Sequence, residues 1–270
     1  TISRGIVAPE SVAEPQIFVW AMMAALLAGA AWIHLATAMG APVSTTHSIV
    51  GGVLGAGVAA AGFAAVDWQG MGTIAASWVI SPVMGGAIAA LFLAIVNSRI
   101  VYREDKIAAA RTWVPVLIGV MGGVFATYMS LKGLKALLHL DLGGSLLVGA
   151  AVGLPLTLLM RPVIRRQSAG LENRVKSLKP LFGIPLVLSA ALLSFAHGAN
   201  DVANAVGPLA AIVHAVADGA SGEQVSIPVW VMVTGALGLS VGLMLFGPKL
   251  INIVGSEITR LNAIRAWCVA

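Results

Sequence analysis

Long apolar runs constrain the fold of this chain more than any other feature of its sequence. Each run approaches or exceeds the roughly 20 residues that a helix needs to cross a bilayer. Because lipid offers the backbone no hydrogen-bond partners, such runs are expected to form helices, which satisfy their own amide groups. The sequence therefore predicts an all-α, polytopic transmembrane helical bundle. The runs cover residues 17–39, 48–66, 71–96, 113–131, 142–160, 181–217 and 229–247.

The composition supports a membrane protein and argues against several other classes. Hydrophobic residues make up 59% of the 270 residues and charged residues only 10%, whereas about a quarter of the residues in soluble domains are charged. The single cysteine, Cys268, leaves no intrachain disulfide and no cysteine metal cluster. The formal net charge of +5 does not indicate nucleic-acid binding, because topology explains basic residues in short loops. We expect a multi-pass protein of the cell (inner) membrane that contacts lipid and binds no nucleic acid.

Two basic loops predict the orientation of the helices. Residues 97–112 carry four lysines or arginines against two acidic residues, and residues 161–180 carry six against one. Cytoplasmic loops carry such an excess of positive charge. Both loops are therefore predicted to be cytoplasmic, which is consistent with the two apolar runs between them.

A polar motif inside the apolar run 181–217 is the strongest functional signal. The sequence HGANDVANA, residues 197–205, places Asp201 between the amides of Asn200 and Asn204. A carboxylate near the bilayer centre costs roughly 2.5 to 3.5 kcal/mol, so it normally faces a cavity or an ion. Glycine and proline weaken helices, and we therefore expect a broken helix at 197–198 and again at 207–208. A deep carboxylate beside a helix break indicates a transport site.

A second polar segment, GAPVSTTHS at residues 40–48, follows the first apolar run. Proline followed by hydroxyl residues predicts a helix start, and the hydroxyls can cap free amides there. Ser44, Thr45 and Thr46 could merely cap a re-entrant helix, or they could bind an anion at its positive end. Two polar interruptions together favour binding, because broken-helix transporters direct helix N-termini at anionic substrates and hold coupling cations with carbonyls or carboxylates.

The two motifs together resemble those of the inorganic phosphate transporter (Pit) family. Residues 197–205 are similar to the family signature, and PVSTTHSIVG at 42–51 is similar to its second motif. The order of the features between them extends the resemblance over essentially the whole chain. It implies a non-enzymatic secondary transporter of inorganic phosphate, driven by a sodium or proton gradient and needing no other cofactor. It assigns substrate and coupling-ion binding to Asn200, Asp201, Asn204, Ser44, Thr45 and Thr46, with a sodium ion at Asn200 and Asp201.

The resemblance also implies inverted repeats, each carrying both motifs. Here the Ser-Thr-Thr motif occurs in the first half of the chain and the Asn-Asp motif in the second. We therefore expect residues 1–96 to be the remainder of a first repeat, 97–180 the central spans and basic loops, and 181–270 the start of a second repeat. On this hypothesis the chain is a fragment that lacks the first Asn-Asp motif and the second Ser-Thr-Thr motif. Expressed alone, it should insert into a membrane without transporting.

The histidines divide into two groups. His47 and His197 belong to the motifs and are expected to orient the site. His197 and Asp201 are four residues apart, so in a continuous helix they would share a face, as a proton-relay pair does. The remaining histidines, His34, His139 and His214, lack ligand-like spacing and are expected to be packed or interfacial.

Small residues at four-residue spacing predict close helix packing. The pairs are Gly51 with Gly55, Gly119 with Gly123, and Gly149 with Gly153.

Several alternatives stay open at this point. A sulfate or other oxyanion permease could keep both motifs, because phosphate and sulfate are both tetrahedral oxyanions. An anion channel is less well supported, since selectivity filters are usually built from several symmetric copies. The sequence does not choose between sodium and proton, between free phosphate and a metal-phosphate complex, or between a monomer and a homodimer.

Overall fold

The computed structural model describes residues 6–7, 14–133, 140–218, 227–258 and 262–269. Within these ranges the chain forms helices, and its only β pairing is an isolated bridge between Val7 and Val66. Short 3-10 turns cover Phe63–Ala65 and Val175–Ser177, and π-helical turns cover Asn97–Val101, Met129–Gly133 and Ile253–Ile258. The α-helices are α1 (Pro15–Ala38), α2 (Thr45–Ala61), α3 (Trp68–Val96), α4 (Lys106–Tyr128), α5 (Leu142–Gln167), α6 (Leu178–Leu181), α7 (Gly183–Asp218), α8 (Val229–Asn252) and α9 (Ala263–Val269).

Helices α1, α3, α4, α5, α7 and α8 are long and apolar enough to cross a membrane, which makes 6 such helices in the described ranges. Helix α2 is apolar but has only 17 residues, a length of about 26 Å against a hydrocarbon core of about 30 Å. The predicted all-α transmembrane fold is confirmed. The protein is an integral, multi-pass membrane protein.

The predicted break in the helix that carries Asp201 is wrong. Helix α7 runs without interruption for 36 residues, through His197-Gly198 and with Pro208 inside it. A proline removes one backbone donor, and a glycine costs only about 1 kcal/mol relative to alanine. Neither loss outweighs the remaining hydrogen bonds of so long a helix.

The chain divides into two compact units. The first comprises Thr1–Ser81 and Ala196–Arg260, and the second comprises Pro82–Phe195 and Leu261–Ala270. The boundaries fall inside α3 and α7, so each of these helices contributes to both units. The inverted repeats and the divisions at 96/97 and 180/181 stay predictions.

In the first unit, α1 packs against α2 around a core that contains Met22 and Val53. Gly52 permits this approach, because a Cβ atom there would lie 2.7 Å from the carbonyl oxygen of Ala25. The predicted packing at Gly51 and Gly55 is not found in the described chain, since nothing lies within 4 Å of a Cβ atom added at either position. Close packing needs a partner backbone, and the backbone of α1 meets α2 at Gly52 instead.

In the second unit, the predicted glycine contact is present between α4 and α5. A Cβ atom at Gly123 would lie 2.9 Å from the carbonyl oxygen of Gly149, and one at Gly119 would lie 2.6 Å from that of Gly153. The two basic loops are joined by Asn173, whose side chain accepts from the N–H of Lys106 at 2.9 Å and donates to the carbonyl of Glu104 at 2.7 Å.

Candidate functional site

A tight reversal between α1 and α2 presents the Ser-Thr-Thr motif. Gly40 has a φ of 74°, the left-handed conformation that glycine adopts most easily. The N–H of Ala41 donates to the carbonyl of Ala36 at 2.9 Å, and that of Gly40 donates to Thr37 at 3.2 Å. This is the Schellman arrangement that ends many helices. Pro42 follows and prevents α1 from continuing.

Helix α2 begins where the sequence predicts a helix start. Ser44 is its N-cap, and the Ser44 hydroxyl accepts a hydrogen bond from the N–H of His47 at 3.3 Å. The first amides of a helix have no acceptor within the helix. The N–H groups of Thr45 and Thr46 are therefore free of intrahelical partners at the positive end of the helix dipole, which is the environment that binds anions.

Asp201 lies beside this helix start although the two are far apart in sequence. The Thr45 hydroxyl donates to Oδ1 of Asp201 at 3.2 Å across 156 positions of sequence. The Asp201 side chain is 12% exposed, so few waters can solvate its charge. The structure thus places a largely desolvated carboxylate against the N-terminus of α2.

Asn204 makes the second link between α2 and α7. Its Nδ2 donates to the Thr46 hydroxyl at 2.9 Å and to Oδ1 of Asp201 at 3.4 Å. The residue is 4% exposed. Asn204 is therefore held in one orientation by contacts to both helices.

His197 also contacts the carboxylate. Its Nε2 lies 2.9 Å from Oδ2 of Asp201, one helical turn away, because α7 is continuous here. The His197 side chain is 69% exposed. Oδ1 of Asp201 thus accepts from the Thr45 hydroxyl and the Asn204 amide, while Oδ2 lies against the imidazole of His197.

Asn200 stands apart from this group. It is exposed, and within the described ranges its side chain makes no hydrogen bond with the other motif residues. Successive residues on a helix point about 100° apart, so Asn200 and Asp201 face different directions. The structure brings together Thr45, Thr46, Asp201, Asn204 and His197, with Ser44 as the cap, and leaves Asn200 outside their hydrogen-bond network.

The other histidines are placed by ring contacts. His47 lies against Trp78 of α3, with ring centroids 4.2 Å apart, and His34 lies edge-on to Phe246 of α8 at 5.5 Å. His214 is partly buried, and His139 lies outside the described residues.

The sequence interpretation did not identify Trp78 or Lys249 as neighbours of the site. Lys249 in the last turn of α8 donates from Nζ to the carbonyl of Ala38 at 3.1 Å. Its position after an apolar run indicates only topology. No local pattern pairs it with α1.

The geometry defines a class of protein. A desolvated carboxylate against a helix N-terminus, inside a multi-pass helical membrane protein, is the kind of polar site that membrane transport proteins contain.

Comparison with known proteins identifies the family. The profile of the phosphate transporter family matches residues 1–270, and the chain belongs to this family. A protein of Helicobacter pylori named as a phosphate permease is 49% identical over 273 residues, covering 100% of this chain and 51% of that protein. One of Pyrococcus abyssi is 35% identical over 271 residues, covering 100% of this chain and 66% of that protein.

A solved structure described as the sodium-dependent phosphate transporter is also similar. It has 33% sequence identity and a TM-score of 0.90, and the match covers 99% of this chain and 66% of that one. The chain thus spans about half the length of the Helicobacter pylori relative and 66% of the solved structure.

Proposed function

We propose that the protein is a secondary active transporter that carries inorganic phosphate across the membrane together with sodium. The contact between Asp201 and the N-terminus of α2 carries this proposal. A phosphate anion attracted to the free amides of Thr45 and Thr46 would meet the Asp201 carboxylate at close range. Two like charges 4 Å apart repel by about 1 kcal/mol in bulk water and by about 4 kcal/mol near a protein surface.

A cation at Asp201 removes this repulsion. With the cation bound, phosphate is attracted to the cation as well as to the helix N-terminus, so each ligand strengthens the binding of the other. Such reciprocal coupling is what symport requires, because the affinity of each ligand must depend on the other. The site chemistry therefore supports co-transport rather than unassisted anion conduction.

Sodium is favoured as the coupling cation by the oxygen atoms in the cluster. Asp201, Thr45 and Thr46 provide carboxylate and hydroxyl oxygens around the Asn204 amide, and oxygen atoms hold sodium in other secondary transporters. The solved relative described as sodium-dependent supports the same choice. Asn200, whose side chain is exposed, stays a proposed ligand of sodium or substrate.

Uptake of labelled phosphate by the full-length protein in proteoliposomes tests the proposal. Sodium and pH gradients are imposed separately, and unlabelled sulfate is added as a competitor. We expect sodium-driven, saturable uptake that sulfate inhibits poorly. Uptake driven only by the pH gradient would overturn sodium coupling. Strong competition by sulfate would overturn phosphate selectivity, and gradient-independent flux without saturation would indicate a channel.

A further inference from the structure

Within the first unit, helix α8 contacts both α7, which carries Asp201 and Asn204, and the end of α1, which precedes Ser44. Near its start, Val231 shares a buried cluster with Val206 and Ala210 of α7. A Cβ atom added at Gly235 would lie 2.6 Å from Cγ2 of Val206, so the Val206 side chain of α7 lies against α8 at this glycine. This contact lies on the same helix as Asp201 and Asn204.

The other end of α8 reaches the reversal between α1 and α2. The Phe246 ring meets His34 near the end of α1, and Lys249 reaches the carbonyl of Ala38. In the following π-helical turn, Cδ1 of Ile253 lies 3.5 Å from a Cβ atom built on Gly40. The α8 contacts therefore continue along α1 into the reversal that precedes Ser44.

Lys249 donates a hydrogen bond to a carbonyl at the end of α1 that has no backbone donor in the described chain, that of Ala38. The last four carbonyls of a helix have no partner within the helix. Three of these carbonyls have backbone partners beyond the helix: those of Leu35, Ala36 and Thr37 accept from the N–H groups of Met39, Ala41 and Gly40, respectively. The carbonyl of Ala38 remains, and the Lys249 ammonium donates to it while placing a positive charge at the negative end of the helix dipole.

We propose that Lys249 is a positioning residue of the transport site. By holding the end of α1 against α8, it fixes the direction in which α2 begins. It thereby keeps Thr45 and Thr46 within hydrogen-bond distance of Asp201 and Asn204. The effect of Lys249 on transport rests on the proposed function. Its effect on the position of the α2 start can be measured without transport.

Replacing Lys249 tests this role in the full-length protein. Lys249→Met removes the donor but keeps much of the apolar side chain, and Lys249→Arg keeps a cationic donor. Lys179→Met is the matched control, because Lys179 is an exposed lysine of the second unit. In enzymes, a misplacement of about 1 Å caused by a distant mutation can lower the rate about 100-fold, so a smaller loss of affinity is reasonable here. We expect Lys249→Met to raise the apparent KM for both phosphate and sodium about tenfold, with Lys249→Arg restoring most of the affinity.

A purely structural lysine would behave differently. If the lysine were purely structural, Lys249→Met would lower the melting temperature and the amount of folded protein. Both KM values of the folded fraction would be unchanged, and that result would overturn the proposal. Combining Lys249→Met with Thr45→Ala adds a second criterion. If Lys249 acts through the α2 start, the two effects on KM should combine to less than their product, whereas a full product would contradict the proposal.

Hydrogen exchange separates this inference from the proposed function. Lys249→Met should speed exchange at residues 39–47 relative to the wild type and leave α4 unchanged. Unchanged exchange at 39–47 would overturn the positioning role even if phosphate is transported. Conversely, a wild-type protein that takes up no phosphate would overturn the proposed function, while the exchange result would still decide the role of Lys249.

Discussion

The contact of α4 with α5 and the contact of α2 with α7 bring helices together by opposite means. In the first, Gly119 and Gly123 face Gly153 and Gly149 so closely that a Cβ atom would collide with backbone carbonyls. In the second, α2 and α7 are joined by side-chain hydrogen bonds from Thr45 and from Asn204.

The difference shows which of the two contacts could give way to a bound ligand. Backbone surfaces at van der Waals distance leave no room for a ligand, and displacing them loses many small attractions at once. Hydroxyl, amide and carboxylate groups can instead give up one hydrogen bond and form another with an ion. The α4–α5 contact therefore suits a scaffold, and the α2–α7 contact suits a site that binds and releases its ligands.

Removing the charge at Asp201 should have the largest effect on function. We expect Asp201→Asn to lower sodium-driven phosphate uptake by about 100-fold or more, equivalent to about 2.7 kcal/mol. The protein should remain inserted, because an asparagine costs less than an aspartate at membrane depth. Glu172→Gln is the control, since Glu172 pairs with Arg174 in an exposed loop. Normal uptake by Asp201→Asn at matched expression would refute the role of its charge.

A bulky residue at the α4–α5 contact should affect folding rather than affinity. We expect Gly123→Leu to destabilise the protein by about 3 kcal/mol or more, because overpacking displaces the backbone of Gly149. Gly55→Leu is the matched control in α2, where nothing lies within 4 Å. Thermal unfolding in detergent measures both variants. Equal melting temperatures of the two variants would show that the α4–α5 glycine contact tolerates a large side chain and is not a rigid scaffold.

The two amides of the HGANDVANA motif should differ. Asn204 is 4% exposed and bonded to both Thr46 and Asp201, whereas Asn200 is exposed. We expect Asn204→Ala to raise the apparent KM for sodium about tenfold, or about 1.4 kcal/mol, and Asn200→Ala to have a smaller effect. Uptake measured over a range of sodium concentrations tests this order. A larger loss in Asn200→Ala would mean that the exposed amide binds the ligand.

The hydroxyls of α2 should matter for affinity more than for stability. Thr45→Ala and Thr46→Ala remove groups that contact Asp201 and Asn204, so we expect the apparent KM for phosphate to rise severalfold. Loss of Ser44 as the N-cap should instead cost about 1 kcal/mol of stability. The Michaelis constant and the melting temperature of all three alanine variants, measured side by side, separate the two roles. Unchanged KM values in both threonine variants would reduce these hydroxyls to capping groups.

The smallest expected effect is on the chemical reactivity of Cys268, which lies in the packed core of the second unit. Burial raises the pKa of the Cys268 thiol to about 11, because a thiolate is poorly solvated beside Trp267 and its apolar neighbours. Only a small fraction of the thiol is ionised at pH 7.5, and that fraction rises as the pH approaches the raised pKa. We expect slow maleimide labelling that accelerates with pH. Rapid labelling at pH 7.5 in the folded protein would show that this core is open to water.

The sequence by itself determined the all-α membrane fold, the start of α2 at Ser44 and the residue types around the site. These features depend on hydropathy, capping and composition over one or two turns of helix, all of which can be read locally. It wrongly predicted a break in α7, because propensities at Gly198 and Pro208 do not include the hydrogen bonds of the rest of a long helix.

Only the tertiary structure decided which residues meet. Asp201 and Thr45 are 156 positions apart, and Lys249 lies 211 positions from Ala38. Identical spacing also had different outcomes, since Gly119 and Gly123 meet a partner helix while Gly51 and Gly55 do not within the described chain. A local pattern specifies which face a residue occupies on its own helix. Which neighbour that face contacts depends on how all the helices pack, and this is a property of the whole fold.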